Sequence, residues 1–350
     1  MRLFACDHCG QPVHFDNRQC VRCGHQLGFV PERLAIYALE ADGSNWRLVA
    51  EPTRIVRFCA NAELDICNWV VEAGDPEPFC IACRHNRLVP NTDTQQGIDR
   101  WRRIGQAERH LFYSLLRWNL PHPDRQQDPQ GGLVFDFLED AMQGGTIVPA
   151  RTGHDEGRIA IRAAEADDVA REQARTSMNE PYRTLLGHFR HETGHFIWNK
   201  LIRDRNRFDA FRTVFGDERM DYGAALQQHY DNGPPPNWQE NFISAYASAH
   251  PWEDFAECFA HYLHIVDTLE TARSFGLAVD PYGYHEMAAA VDFNPYKAES
   301  AEQLVSAWIP LSVAINAIQR SMGQPDSYPF ILSPPVIAKL EYLHGVIRGA

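Results

Sequence analysis

Eight of the chain's nine cysteines lie before residue 84, and no other feature constrains the fold as tightly. The first four read Cys6-x2-Cys9 and Cys20-x2-Cys23. Each such pair can close a tight turn around one metal, and two pairs meet the need of a tetrahedral four-cysteine zinc site. Gly10 and Gly24 follow the second cysteine of each pair, where backbone amides turn toward the thiolates and a positive φ is often required. Two disulfides are the competing arrangement, and a reducing cytosol disfavours them. Cys59, Cys67, Cys80 and Cys83 supply a second set, in which only Cys80-x2-Cys83 has the knuckle spacing. A second zinc site there competes with buried free thiols. Between the two sets, Leu34–Leu39 and Trp46–Val49 read as short strands around an Asp42-Gly43-Ser44-Asn45 turn. So small a unit has little core, and bound metal can supply much of its folding free energy. Cys258 stands alone beside Glu257 in a helical pattern and reads as a small buried hydrophobe.

The whole chain has 350 residues, 44% hydrophobic and 23% charged, enough for a buried core and for two or three folded units. Lys and Arg number 33 against 46 Asp and Glu, a formal charge of -13 that argues against non-specific binding to nucleic acid or anionic membranes. No uninterrupted apolar run approaches about 18 residues, so no membrane-spanning helix is expected. The Met1–Asp7 stretch turns polar too soon for a signal peptide, and a cytoplasmic location is expected.

Residues 84–99 are polar and aperiodic, as in a linker, and a helix is expected from Trp101 to Trp118, ended by Pro121-His122-Pro123. Phe135–Met142 predicts another short helix, and Gly157–Arg162 a strand after the His154–Gly157 turn. That strand either pairs with an extended substrate or lies inside its sheet. Two more helices are expected in the tail, Ala301–Met322 with an interruption at Pro310 and Pro334–Ile347.

The chemistry concentrates in a helix expected to open at Asn179-Glu180-Pro181, with Asn179 as its cap and Tyr182, Leu185, Leu186 and Phe189 on its apolar face. It contains His191-Glu192-Thr193-Gly194-His195, an H-E-x-x-H pattern. The i, i+4 spacing puts both imidazoles on one face, able to hold a single Zn2+, with Glu192 offset toward a metal-bound water. A catalytic zinc wants three protein ligands and an open position. A second helix, His250–His264, offers Glu253, Glu257, His261 and His264 along one face. Either glutamate suits as third ligand. If Glu253 binds zinc, Glu257 one turn on can accept the free ring N–H of a ligating histidine. His261 is a further candidate beside the metal.

Residues from about 179 to 300 resemble the catalytic core of the putative zinc-binding metallopeptidase family, in which zinc ribbons precede an H-E-x-G-H domain. The matching stretches are Arg190–His195, Phe215-Gly216-Asp217-Glu218-Arg219-x-Asp221-Tyr222 and Trp252–Glu257, joined by Cys6–Cys23 and Cys67-Asn68-Trp69. The resemblance implies a cytosolic zinc hydrolase with a glutamate ligand. The run Glu253–Phe259 is also similar to the second metal helix of the anthrax lethal factor peptidase. That similarity implies Glu253 as ligand, Glu257 behind it, and Tyr246, seven residues before Glu253, as the donor to the transition-state oxyanion.

The expected fold class is α+β: a zinc ribbon over 1–30, a second β-rich four-cysteine module and linker over 31–95, and a mainly helical zincin-like domain with a small sheet over 96–350. The expected function is hydrolysis of a protein or peptide by a zinc-activated water with Glu192 as general base, using about three zinc ions, one for each ligand set. An inactive binding module and a hydrolase of non-peptide amides are the alternatives. Among its first 33 residues the ribbon carries only Arg2, Arg18, Arg22 and Arg33, offset by Asp7, Asp16 and Glu32, so a protein is its expected partner in preference to nucleic acid.

Overall fold

The computed structural model describes residues 1–144, 146–177 and 184–349. Its fold is α+β, and it divides into two compact units, one of residues 1–117 and 122–173, the other of 118–121 and 174–350. The residues expected to open the metal helix, Asn179 to Tyr182, lie outside the described residues.

The first unit begins with a two-stranded ribbon, β1 (Phe4–Ala5) and β2 (Pro12–Val13), followed by the antiparallel meander β3 (Gln26–Val30), β4 (Ala35–Asp42), β5 (Asn45–Leu48), β6 (Ile55–Phe58) and β7 (Val70–Glu72). The expected turn is there: Asp42 pairs with Asn45 across Gly43 and Ser44. The boundary expected at residue 30 falls at the end of β3, which pairs with β4 along its length. Alternation along these strands puts Val30, Leu39, Leu48, Val56 and Val70 into one core. Phe29 packs 4.7 Å from Trp69 and 4.9 Å from Phe15, tying the first cysteine knuckles to the sheet. Asn68 donates to the carbonyl of Phe15 at 2.8 Å, closing the same junction with a buried hydrogen bond.

Two expectations for this unit are corrected. The segment read as a linker supplies β8 (Asn86–Leu88) before α1 (Gln95–Arg117), and the segment read as a helix forms β9 (Val134–Leu138) and β10 (Ala141–Gln143), the latter paired with β11 (Thr146–Val148). β9 is buried from Val134 to Phe137 and sits inside a four-stranded sheet ordered β12-β13-β9-β8, with β12 (Gly153–Asp155) and β13 (Arg158–Arg162) joined through Glu156 and Gly157. An apolar strand covered on both faces carries no alternation, so its period does not separate it from a helix. β13 pairs on both sides, with β12 and β9, and has no free edge for a substrate.

α2 (Asp168–Ser177) runs across residue 173, where the division falls, and the second unit is built on α3 (Leu185–Trp198) and α6 (Pro251–Ser274), with α4 (Phe208–Phe215), α5 (Tyr222–Asn232), α7 (Ala301–Ser321), α8 (Pro334–Arg348) and a small hairpin of β14 (Ala278–Val279) and β15 (Ala289–Ala290). Thr184 caps α3 by accepting from the Gly187 amide at 2.9 Å. α7 runs through Pro310 without interruption. By length and composition α7 also suffices to cross a membrane, against the expectation from unbroken apolar runs, and it buries Leu304, Val305, Trp308 and Leu311 within the unit.

α3 and α6 cross where Gly194 meets Ala256. A Cβ on Gly194 would stand 2.9 Å from the Ala256 Cα, closer than real Cβ atoms come to backbone. Nearby, Arg190 of α3 binds His264 Nδ1 at 2.6 Å and Asp267 on α6, a buried pair that fixes the helices in rotation as well as distance. Gly194→Ala is therefore expected to force the helices apart and destabilise this unit by about 1–3 kcal/mol, read as a lower denaturation midpoint of the helical circular dichroism signal.

Candidate metal centre

Among the described residues three groups bring their ligand atoms within 4.8 Å of one another: Cys6, Cys9, Cys20 and Cys23; Cys59, Cys67, Cys80 and Cys83; and His191, His195 and Glu253. In the first cysteine group Sγ of Cys6 and Cys23 are 3.7 Å apart and those of Cys9 and Cys20 3.6 Å. In the second, Cys67 and Cys80 are 3.7 Å apart. A tetrahedron with Zn–S bonds of about 2.3 Å has edges of about 3.8 Å, whereas a disulfide needs about 2.05 Å. The donor sets thus fit a zinc ion. Gly10 and Gly24 have φ of 73° and 78°, and their amides donate to the carbonyls of Cys6 and Cys20 at 2.8 Å, forming the two knuckles. Arg109, buried on α1, lies close enough to Cys67 and Cys83 to feel their negative charge.

In the third group, Nε2 of His191 stands 3.0 Å and Nε2 of His195 3.4 Å from Oε2 of Glu253. Nδ1 of His191 lies 2.6 Å from Oε1 of Glu257. A carboxylate only accepts, so Nδ1 carries a hydrogen and Nε2 is the ring nitrogen turned toward Glu253. Glu253 is 1% exposed, and both imidazoles of α3 face its Oε2. Two imidazole nitrogens and a carboxylate oxygen drawn together at one buried point call for positive charge among them, and a divalent ion held by neutral rings supplies it. Cys258, by contrast, is buried with its thiol 3.5 Å from Asp254 Oδ1, as a packing residue.

The four polar residues expected along one face of α6 have four separate roles. Glu253 meets both imidazoles of α3. Glu257 takes the far side of His191 and accepts from Ser244 Oγ at 2.6 Å; burial works against its charge, but His191 brings its pKa down to about 2. His261 pairs through Nδ1 with the Tyr328 hydroxyl at 2.8 Å and is outside the converging group. His264 is held by Arg190, which only donates, so its Nδ1 accepts.

Glu192 is buried, and burial above all raises its pKa and thus its basicity. Tyr246 opens a short 3-10 turn, with its ring 5.9 Å from that of His191. Burial and the charge of Glu253 raise its pKa. The Trp252 ring lies 4.1 Å from that of His195, tilted by 49°.

The family model for a putative zinc-binding metallo-peptidase matches residues 97–346, and a zinc-ribbon domain model matches residues 3–94. The chain belongs to that metallo-peptidase family. Proteins of Mycobacterium bovis and of two strains of Mycobacterium tuberculosis, all named as uncharacterized, are each 40% identical to it over 349 residues, covering 99% of this chain and 95% of theirs. No solved structure matches. The family match begins at 97, close to the expected boundary at 96, whereas the first compact unit runs on to residue 173.

Two site residues escape the sequence reading. Tyr222 donates to Oε1 of Glu253 at 2.6 Å, and Ser244 donates to Glu257. Tyr222 ends the stretch that carries the family resemblance, which is the one signal that marks it; Ser244 has none. Removing the carboxylate behind His191, as in Glu257→Ala, is expected to weaken Zn2+ at the two-histidine site about 10–100-fold without loss of cysteine-bound metal. Chelator competition combined with metal analysis measures both.

Proposed function

We propose that this chain is a zinc-dependent peptidase in which His191, His195 and Glu253 hold one Zn2+ and each cysteine set holds a structural one. The observation that carries the reading is the convergence of two imidazole nitrogens and a buried carboxylate oxygen from crossing helices, with Glu192 next to His191 and three residues before His195 in sequence.

Bound there, Zn2+ would polarise a scissile carbonyl and lower the pKa of a water toward about 7. Glu192, its basicity raised by burial, accepts a proton from the attacking water as the new C–O bond forms. It then delivers that proton to the amine as the C–N bond breaks. Glu257 keeps the His191 hydrogen on Nδ1, so that Nε2 is the face turned toward Glu253. Tyr246 donates its phenol O–H in a hydrogen bond to the carbonyl oxygen as negative charge builds there. The 5.9 Å approach of the Tyr246 ring to that of His191 supports that role, and the family match supports protein or peptide chains as the substrate class.

Glu192→Gln removes the base and keeps every ligand. It is expected to lower hydrolysis of a peptide library about 10²–10⁴-fold, while metal analysis of both proteins returns about three zinc ions per chain, one for each group. Unimpaired cleavage by the variant would refute the mechanism, and one ion or none per chain would refute the ligand sets.

A further inference from the structure

We propose that Tyr222 is a positioning residue of the metal centre, holding Glu253 so that one carboxylate oxygen alone faces the two imidazoles. The inference rests on the reading of His191, His195 and Glu253 as a zinc site and adds a fourth residue to it.

Glu253 divides its two oxygens. Oε1 accepts the Tyr222 phenol at 2.6 Å, while Oε2 stands 3.0 Å and 3.4 Å from the histidine nitrogens. A hydrogen bond to an ionised acceptor is short and strong, and here it pins the rotation of a carboxylate that could otherwise present both oxygens. The phenol is itself held in place. Asp221 caps α5 by accepting from the Ala224 amide at 2.9 Å, which sets Tyr222 as the first helical residue. Its ring packs edge-on against His250 at 5.3 Å and Trp252 at 5.6 Å, the two residues that begin the turn bearing Glu253.

α5 has no buried residue, so it lacks the apolar face that ordinarily seats a helix. Its contacts with this centre are polar and aromatic: Tyr222 to Glu253, and His229 to Tyr246. A tyrosine placed only for packing would bury its ring and leave its hydroxyl to solvent. This one spends its hydroxyl on the proposed ligand.

The test uses the full chain with its cysteine sites zinc-loaded, comparing the natural sequence, Tyr222→Phe, and Gln227→Ala on the exposed side of the same helix. Affinity for the remaining Zn2+ is measured by competition with a chromophoric chelator. The visible spectrum of Co2+ in that site is recorded at saturation, where it reports coordination independently of affinity. Circular dichroism and retained cysteine-bound zinc verify folding, and Phe keeps the ring contacts. Tyr222→Phe is expected to bind the ion about 10–100-fold more weakly, with a shifted Co2+ band, while Gln227→Ala matches the natural protein. Natural affinity and an unshifted band in Tyr222→Phe would overturn the proposal, as would equal weakening in Gln227→Ala. If the natural protein takes up no ion beyond its cysteine sites, the zinc-site reading itself fails, a result distinct from either.

Discussion

The second unit depends on the backbone contact between Gly194 and Ala256. With no Cβ at 194, α3 and α6 come close enough for side chains a turn away to share one point. His191 lies three residues before that glycine and His195 directly after it, while Glu253 lies three residues before Ala256, on the same side of its helix. The glycine inside the H-E-x-x-H pattern thus has a structural reason separate from chemistry. A larger residue would move the carboxylate away from both imidazoles at once.

Along α6 the polar groups form a series whose members each have different partners. Glu253 faces the histidines and Tyr222, Glu257 faces His191 and Ser244, His261 faces Tyr328, and His264 faces Arg190. Arg190 continues to Asp267, which also accepts from Tyr296. Buried polar groups are tolerated when satisfied, and a connected network holds each member in one orientation. The same bonds that remove the desolvation penalty therefore aim the ligand atoms.

What was legible in the sequence was whatever depends on local spacing. Two C-x-x-C pairs with glycines after them, and two histidines four apart, are fixed offsets that the backbone turns into geometry directly. The Asp42–Asn45 turn was legible for the same reason. Phe135–Leu138 was not, because a strand buried on both faces shows no period. Pro310 misled in the other direction: it stands inside a continuous helix where the sequence suggested a break. Tyr222 and Ser244 reach their carboxylates across 31 and 13 residues respectively, and no local pattern encodes such a distance. His261 and His264 had the right spacing but lie further along α6, where Tyr328 and Arg190 take them up.

Charge explains why this centre and the unit around it belong together. Glu192, Glu253 and Glu257 are carboxylates drawn from two crossing helices, and buried charges are costly unless compensated. Without metal, burial works against a charged His191, yet Glu253 and Glu257 on its two sides outweigh that effect and raise its pKa well above the ordinary value. The imidazolium then supplies the missing positive charge. The proposed divalent ion would supply it more fully, displacing that proton and offsetting two of the three negative charges. Metal uptake at this site is then coupled both to proton release and to the stability of the α3–α6 pair, as it is for the thiolates of the cysteine sets. On this account the carboxylates that equip the centre for hydrolysis also make the helix pair depend on its ion.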